Sequence, residues 1–262
     1  LEQALSKRGV TAPPMITKSN GGIMHVGLGK TQCVAMLLSG TASGVMGAAF
    51  LARQAGITNA LTLDIGGTSA DMALIIDGQP QFGVGETIGE FQIYIPSVSV
   101  SSIGEGGGSI AWVDAQGVLK VGPESAGSRP GPACYGRGGT DVTITDAHLL
   151  LGRIPPHLLG GEVPLFPDRA QAGVDDLARR LGMSPTAAAL GILEVSAWNQ
   201  ANALRQITVK RGLDVRDFTL TTFAGSGSRL ACRRMALLDP PRPPAPPTPA
   251  TAPRSGRPAP NC

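Results

Sequence analysis

Aromatic side chains are scarce in this 262-residue chain, at 4%, and charged ones reach only 16%. The first shortage argues against a surface that stacks nucleic-acid bases. The second argues against a disordered polyelectrolyte. Net charge is +3, and part of it lies in a C-terminal tail, so no nucleic-acid partner is inferred from it. The four cysteines, Cys33, Cys134, Cys232 and Cys262, stand far apart. They make no C-x-x-C pair and no zinc spacing, so reduced thiols in a cytoplasmic protein are the expected state. No apolar run approaches the roughly 20 residues of a membrane-spanning helix, and no signal peptide opens the chain. The first residue is Leu1 rather than Met, so the natural N-terminus is expected further upstream.

Glycine, by contrast, is plentiful at 36 residues, which predicts many tight turns and close backbone approaches. The stretch LTLDIGGTSADMALI (61–75) reads as strand, tight turn and strand. It gathers Asp64, Gly66, Gly67, Thr68 and Asp71 at the turn. Glycines let backbone N–H groups approach phosphate oxygens. A carboxylate such as Asp64 suits hydrated Mg²⁺, which takes only one or two protein carboxylates. Taken alone, the same pattern is equally a β-hairpin with a glycine turn and two solvated aspartates.

The remaining elements follow from periodicity and punctuation. Residues 1–9 predict a short helix stopped by Gly9, and Met15–Thr17 a strand before the SNGG turn (19–22). Residues 36–56 predict an apolar run and then a helix capped by Thr41 or Ser43 and ended by Gly56. Gly44, Gly47, Ala48 and Ala49 give that helix a small-residue face. Short β segments are expected at 81–84, 91–95 and 98–103, then a hairpin pairing 110–113 with 118–121. The glycine cluster 104–108 precedes that hairpin. Residues 122–147, rich in Gly, Pro and Ser, are either a linker or an ordered loop. The buriable Ala133, Cys134 and Tyr135 beside Arg129 and Arg137 favour an ordered loop lining a cleft. Asp146 is read as the start of a short helix over 147–151. An amphipathic helix over 168–181 follows, then a longer one from Ser184–Pro185 to about Lys210. On the long helix Asn199, Asn202 and Arg205 either reach a ligand or tie down neighbouring loops. A strand is expected over 217–223, and a glycine turn follows it. Ten of the 22 prolines lie in 240–260, a composition that builds no core.

Several of these segments, in order, resemble the hydantoinase A/5-oxoprolinase family. They are SNGG (19–22), LLSGTASGVMGA (37–48), LDIGGTSADMALI (63–75), SIGEGGGSIAWVD (102–114), VGPESAGSRPGPACYGRGGT (121–140), VTITDAHLLLGRI (142–154) and NQANALRQITVKRGLDVRDF (199–218). The resemblance implies an α/β fold of the actin/hexokinase/Hsp70-like ATPase kind. Members carry two DxGGT-type phosphate turns, and the single one here matches the mid-chain copy. The second lobe is then mostly present and the first lobe's phosphate turn is missing, as in a fragment of a longer protein. The implied division is a partial family domain over 1–230 and a Pro-rich disordered tail over 231–262. Where the family has an adenosine-binding turn like FGGAGP, this chain reads FAGSGSRLACRR (223–234) and then Pro, Ala and Arg. That tail resembles out-of-frame reading of a GC-rich gene. Ser101 stands where some relatives have a histidine, which puts a transition-metal site in doubt.

The resemblance also implies a chemistry: ATP-driven ring opening of a cyclic amide, hydantoin or 5-oxoproline in type, by phosphorylation of its carbonyl oxygen. Asp64 and Thr68 are the implied catalytic residues, with Asp64 holding Mg²⁺ through water. Gly66, Gly67, Thr68, Asp71, Gly225 and Gly227 would contact the nucleotide. Gly106, Gly107, Gly108, Ser109, Arg129 and Arg137 would line the substrate cleft. Glu105 could polarise a water, but relatives often have Ala there. A companion hydantoinase B-like subunit or domain is expected, with no nucleic-acid or membrane partner. The alternatives are a subunit of an acetone- or acetophenone-type carboxylase, or an inactive fragment that does not turn over ATP alone.

Overall fold

The structure is a computed structural model and describes residues 2–83, 86–88, 91–223, 225 and 238. It divides into two compact units, 1–62 with 73–101 and 63–72 with 102–262. Among the described residues no helix is long and apolar enough to cross a membrane.

The first unit opens with helix α1 (Glu2–Ser6), strands β1 (Met15–Thr17) and β2 (Ile23–His25), and the single turn α2 (Val26–Gly29). β1 and β2 pair antiparallel across the SNGG turn, Ile16 opposite Met24. Helix α3 (Ser39–Gln54) buries Ala42, Val45, Ala48, Ala49 and Ala52. Thr41 and Ser43 lie inside this helix and do not cap it. Its N-cap is Leu38, in the left-handed region at φ 57° with no side-chain cap, and Ser43 Oγ donates back to the Ser39 carbonyl. Of the predicted small-residue face, Ala48 and Ala49 are buried but Gly47 is exposed. Gly56 ends the helix at φ +69°, the left-handed exit that glycine takes without a steric penalty.

Strand β3 (Ala60–Ile65) passes from the first unit into the second, and β4 (Ala70–Ile76) passes back into the first. Both are nearly continuous apolar runs, and both are almost wholly buried. Strands covered on both faces read this way instead of alternating. The short strands β5 (Gln79–Pro80), β6 (Phe82–Gly83), β7 (Glu86–Ile88), β8 (Phe91–Ile93), β9 (Ser97–Val98) and β10 (Val100–Ile103) complete this part of the chain.

In the second unit the hairpin of β11 (Ser109–Val113) and β12 (Leu119–Ser125) pairs antiparallel, with an irregularity between Ser109 and Ala111. Helix α4 (Ile144–Leu150) follows. Its N-cap is Thr143, whose side chain accepts from the Asp146 N–H while Asp146 reaches back to the Thr143 N–H. Asp146 is therefore the third helical residue of a capping box and not the helix start. The two-residue strands β13 (His157–Leu158) and β14 (Val163–Pro164) lead to α5 (Pro167–Leu181) and α6 (Pro185–Val209). Ser184 caps α6 through the Ala187 N–H. Strand β15 (Thr219–Phe223) closes the five-stranded sheet, whose order is β10-β4-β3-β15 with β5 on β4.

One apolar cluster unites the hairpin with the three helices. It contains Ala111, Val121, Ile144, Ala147, Val174, Leu177, Ile192 and Leu193. Full burial of each large aliphatic side chain contributes roughly 1.5–3 kcal/mol. A second cluster of Cys134, Leu149, Ile154, Leu165 and Ala170 anchors the 122–140 loop beside α4. Apart from Leu238, the tail over 231–262 lies outside the described residues, as does Gly227.

Candidate functional site

The site begins at the four residues between β3 and β4. Gly66 N–H donates to the Ser69 carbonyl at 3.0 Å and closes the turn. The N–H groups of Gly67 and Thr68 donate to no acceptor among the described residues. A Cβ on Gly67 would meet nothing within 4 Å. The outer surface of the turn is thus open backbone with two N–H groups to offer, a form suited to an anion. Gly66 contributes an open surface, but its own N–H is engaged inside the turn.

The glycine cluster backs this turn. Gly107 N–H donates to the Gly66 carbonyl at 3.0 Å, and Gly108 N–H to the Gly67 carbonyl at 2.6 Å. A Cβ on Gly106 would lie 2.5 Å from the backbone of Thr68, a separation real Cβ atoms do not reach. Only glycine allows this approach. Ser109 is fully buried and donates to the Gly104 carbonyl at 3.1 Å. Gly106 is thus pressed against the turn and Ser109 braces the glycine cluster, whereas Gly107 and Gly108 also reach the cavity beside it.

Two carboxylates flank the turn. Asp64, half-buried on β3, has its carboxyl pushed above its ordinary range, first by burial and then by the neighbouring Asp71 charge. Asp71, on β4, accepts from Ser102 Oγ at 2.6 Å. A carboxyl whose ionisation is opposed by burial and by a like charge fits a cation placed against it. Among the described residues no group of three or more His, Cys, Asp or Glu is positioned to hold a metal. Asp64 and Asp71 would offer two carboxylates to an ion, which fits a hard cation that keeps most of its waters.

Beside the turn lies a cavity of about 320 Å³. Ile65, Gly66, Gly67 and Thr68 form one side, with Gly107 and Gly108. Thr145 and His148 of α4, Tyr135, Ile154 and Leu158 form another, and Gly127, Ser128, Pro132 and Gly225 complete the lining. Thr145 and His148 are three residues apart on a helix and so share a face. Thr145 is fixed by two bonds to the Gly107 carbonyl, 2.8 Å from its N–H and 2.7 Å from its hydroxyl. Gly107 thereby connects the turn to α4.

Asp146 fixes the other wall. Fully buried, it accepts from the Cys134 N–H at 2.8 Å with one oxygen and from the Thr143 N–H at 2.8 Å with the other. This carboxylate holds the 122–140 loop against α4, so the stretch is an ordered loop and not a linker. Burial and the Asp146 charge push the Cys134 thiol far up. It stays protonated and serves packing, not nucleophilic chemistry.

The two loop arginines stand differently. Arg129 is exposed and outside the lining. Arg137 is also exposed, but it donates to the Ser128 carbonyl at 3.2 Å, and its guanidinium lies 5.6 Å from the Tyr135 ring centre. It touches two wall residues without entering the cavity. Glu105 is buried against α6, where Asn199 Nδ2 donates to its carboxylate and Gln200 Nε2 to its carbonyl at 3.1 Å. Asn199 therefore ties down a neighbouring loop. Asn202 accepts from Arg205 at 3.1 Å, and Arg205 lies over Trp198. Gly225 lines the cavity.

The family model described as Hydantoinase/oxoprolinase matches residues 1–245. The chain belongs to the hydantoinase/oxoprolinase family. It is 36% identical over 241 residues to the caprolactamase subunit alpha of Pseudomonas jessenii, covering 90% of this chain and 34% of that protein. It is 38% identical over 202 residues to the acetophenone carboxylase gamma subunit of Aromatoleum aromaticum, covering 76% and 28%. Among solved structures, nucleotide-free acetone carboxylase superposes with a TM-score of 0.81 at 29% identity, over 91% of this chain and 34% of that one. The ATP-dependent caprolactamase from Pseudomonas jessenii superposes with a TM-score of 0.75 at 34% identity, over 91% and 35%. These likenesses establish the α/β fold of this family. The chain spans about a third of the length of these relatives.

Tyr135 was read as part of a loop lining a cleft, and it lines the cavity; Thr145 and His148 are cavity residues that motif reading did not assign. Their signal was available only as the i, i+3 pair Thr145/His148 inside the quoted VTITDAHLLLGRI segment.

Proposed function

We propose that this chain is the phosphate-handling part of an enzyme that opens a cyclic amide at the expense of ATP. The observation that carries the proposal is the junction of the open Gly66–Ser69 turn with the 320 Å³ cavity. One side offers backbone donors and the other mixes apolar Ile154 and Leu158 with polar Tyr135, Thr145 and His148. An amide ring placed there would meet a phosphoryl group at the turn. The fold is read as the second lobe of an actin/hexokinase/Hsp70-like ATPase, with the first lobe's phosphate turn outside this chain.

A lactam or hydantoin resists water because amide resonance makes its carbonyl carbon a poor electrophile. Phosphorylation of the carbonyl oxygen removes that protection and supplies a leaving group. The protein's work is positioning and charge neutralisation. Gly67 and Thr68 offer N–H groups to phosphate oxygens, and the Thr68 hydroxyl would add a donor. Gly225 stands on the nucleotide side. Asp64, supported by Asp71, would hold Mg²⁺, which supplies positive charge to the phosphates when bound. A companion hydantoinase B-like polypeptide or domain completes the hydrolysis; relatives described as subunits support this.

The second reading is a carboxylase subunit that activates a ketone by phosphorylation, favoured by the TM-score of 0.81 to acetone carboxylase. ATP turnover stimulated by a lactam, 5-oxoproline or N-methylhydantoin supports the first reading. Stimulation only by a ketone with bicarbonate supports the second. The third reading, an inactive piece that does not turn over ATP alone, is tested by nucleotide binding.

A further inference from the structure

Strand β10 and the glycine cluster after it grip the turn at two places. Ser102, on β10 beside β4, donates its hydroxyl proton to Asp71 Oδ1 at 2.6 Å. A few residues on, Gly107 and Gly108 donate their N–H groups to the Gly66 and Gly67 carbonyls. All of these residues belong to the second unit. Residues 102–108 therefore hold the carboxylate end of the turn through a side chain and its glycine end through backbone. The backbone contacts build the turn itself. The Ser102 contact does something else, because Ser102 is exposed and Asp71 only partly buried. Water can offer Asp71 an equivalent donor there, so the bond adds little to stability. What water does not supply is a fixed direction. The Asp71 charge is near enough to act on Asp64, so the direction in which Asp71 points decides whether the two carboxylates can serve one ion.

We propose that Ser102 is a positioning residue for a divalent cation at this turn: its hydroxyl orients Asp71 so that Asp64 and Asp71 present their oxygens together. The inference rests on the phosphate-handling function proposed above, and it assigns a task to a residue outside the turn. The groups concerned are all oxygen, two carboxylates with a hydroxyl behind one of them. That set suits Mg²⁺ or Mn²⁺ and offers no nitrogen or sulfur to a softer ion. Ligating carboxylates are commonly held by a hydrogen bond from behind, and removing that partner costs about 10- to 100-fold in metal affinity. Ser102 acts through Asp71. Its loss should therefore matter while Asp71 is a carboxylate and cease to matter once Asp71 is replaced.

The test needs no turnover. The 262-residue chain is titrated with Mn²⁺ alone, and the free ion is followed by electron paramagnetic resonance. Native chain is compared with Ser102→Ala, Ser102→Thr, Asp71→Asn, Asp64→Asn and the double variant Ser102→Ala/Asp71→Asn. The expected result is Mn²⁺ affinity about tenfold lower in Ser102→Ala. Ser102→Thr, which keeps the hydroxyl, should stay within about twofold of native. Melting of Ser102→Ala without metal should match native, which shows that the variant folds. In the Asp71→Asn background, Ser102→Ala should change the affinity by less than about twofold, as expected of residues that act as a unit. Native affinity in Ser102→Ala overturns the proposal, and so does an equal loss in both backgrounds, since Ser102 would then act independently of Asp71. A native chain that takes up no Mn²⁺, or whose affinity Asp64→Asn leaves unchanged, holds no ion at this turn. That result overturns the underlying reading of the turn, and the inference with it, and it is seen without any Ser102 variant.

Discussion

At Gly106 a single methyl group would do the greatest harm to the site. Its Cβ would lie 2.5 Å from backbone atoms of Thr68, and backbone cannot swing aside as a flexible side chain can. Gly106→Ala should destabilise the chain by about 1–3 kcal/mol through overpacking and weaken MgATP binding by displacing the turn. Thermal melting and nucleotide titration would read both effects, and a variant with native affinity would separate the glycine cluster from the turn. Asp64 carries a different prediction. Its carboxyl is pushed above its ordinary value of 3.8 by burial and Asp71. The folded chain therefore holds this proton more tightly than the unfolded chain does, and stability falls as pH rises from 3.8 through the raised value. Above both values the ionised carboxylate is a net cost. Without divalent cation, Asp64→Asn should then melt higher than native at neutral pH, with the difference closing under acid. Mg²⁺ should raise the melting point of the native chain and leave Asp64→Asn unmoved. Asp64, Gly66, Gly67 and Thr68 could be chosen from the sequence because a strand–glycine–strand turn is a local pattern. Thr145 was not, because what places it is a bond to Gly107, 38 residues away. Arg129 and Arg137 were chosen for their charge, which says nothing about the direction a loop side chain takes.

At the scale of elements, α4 and the loop before it behave as one piece. Asp146 accepts from both, so its carboxylate holds a wall of the cavity without entering it. Asp146→Ala leaves the buried Cys134 and Thr143 N–H groups without an acceptor and should cost about 2–5 kcal/mol. Trypsin should then cut faster after Arg137, and limited proteolysis would show it; unchanged cleavage would mean that the loop is held otherwise. The helices α5 and α6 were legible almost to the residue, because Pro at the first helical position and Ser184 as a cap are short-range signals. The start of α4 was not, since Asp serves both as a cap and as the third residue of a capping box. The start of α3 was not either. Thr41 and Ser43 are good capping types, yet the helix begins two residues before Thr41, after a left-handed Leu38 that no propensity favours. The alternatives left open for Asn199 were decided by tertiary contact with Glu105, across 94 residues of sequence.

For the whole molecule, the family and the fold were legible because long, ordered segments of sequence carry them. The ring chemistry is less so, since relatives named as a caprolactamase and as an acetophenone carboxylase match this chain at similar identity, 36% and 38%. The chain spans about a third of its relatives' length, and the two-lobed reading assigns the other half of the nucleotide clamp to what lies outside it. If the Asp64–Asp71 turn is a phosphate site in its own right, the isolated chain binds MgATP. Calorimetric titration of the 262-residue chain with MgATP, beside Asp64→Asn, is the most direct measurement. The expected result is saturable binding in the micromolar range by the native chain and at least about tenfold weaker binding by the variant, a difference of roughly 1.4 kcal/mol. Equal affinity of the two, or no heat from either, would contradict a nucleotide-binding role for this turn.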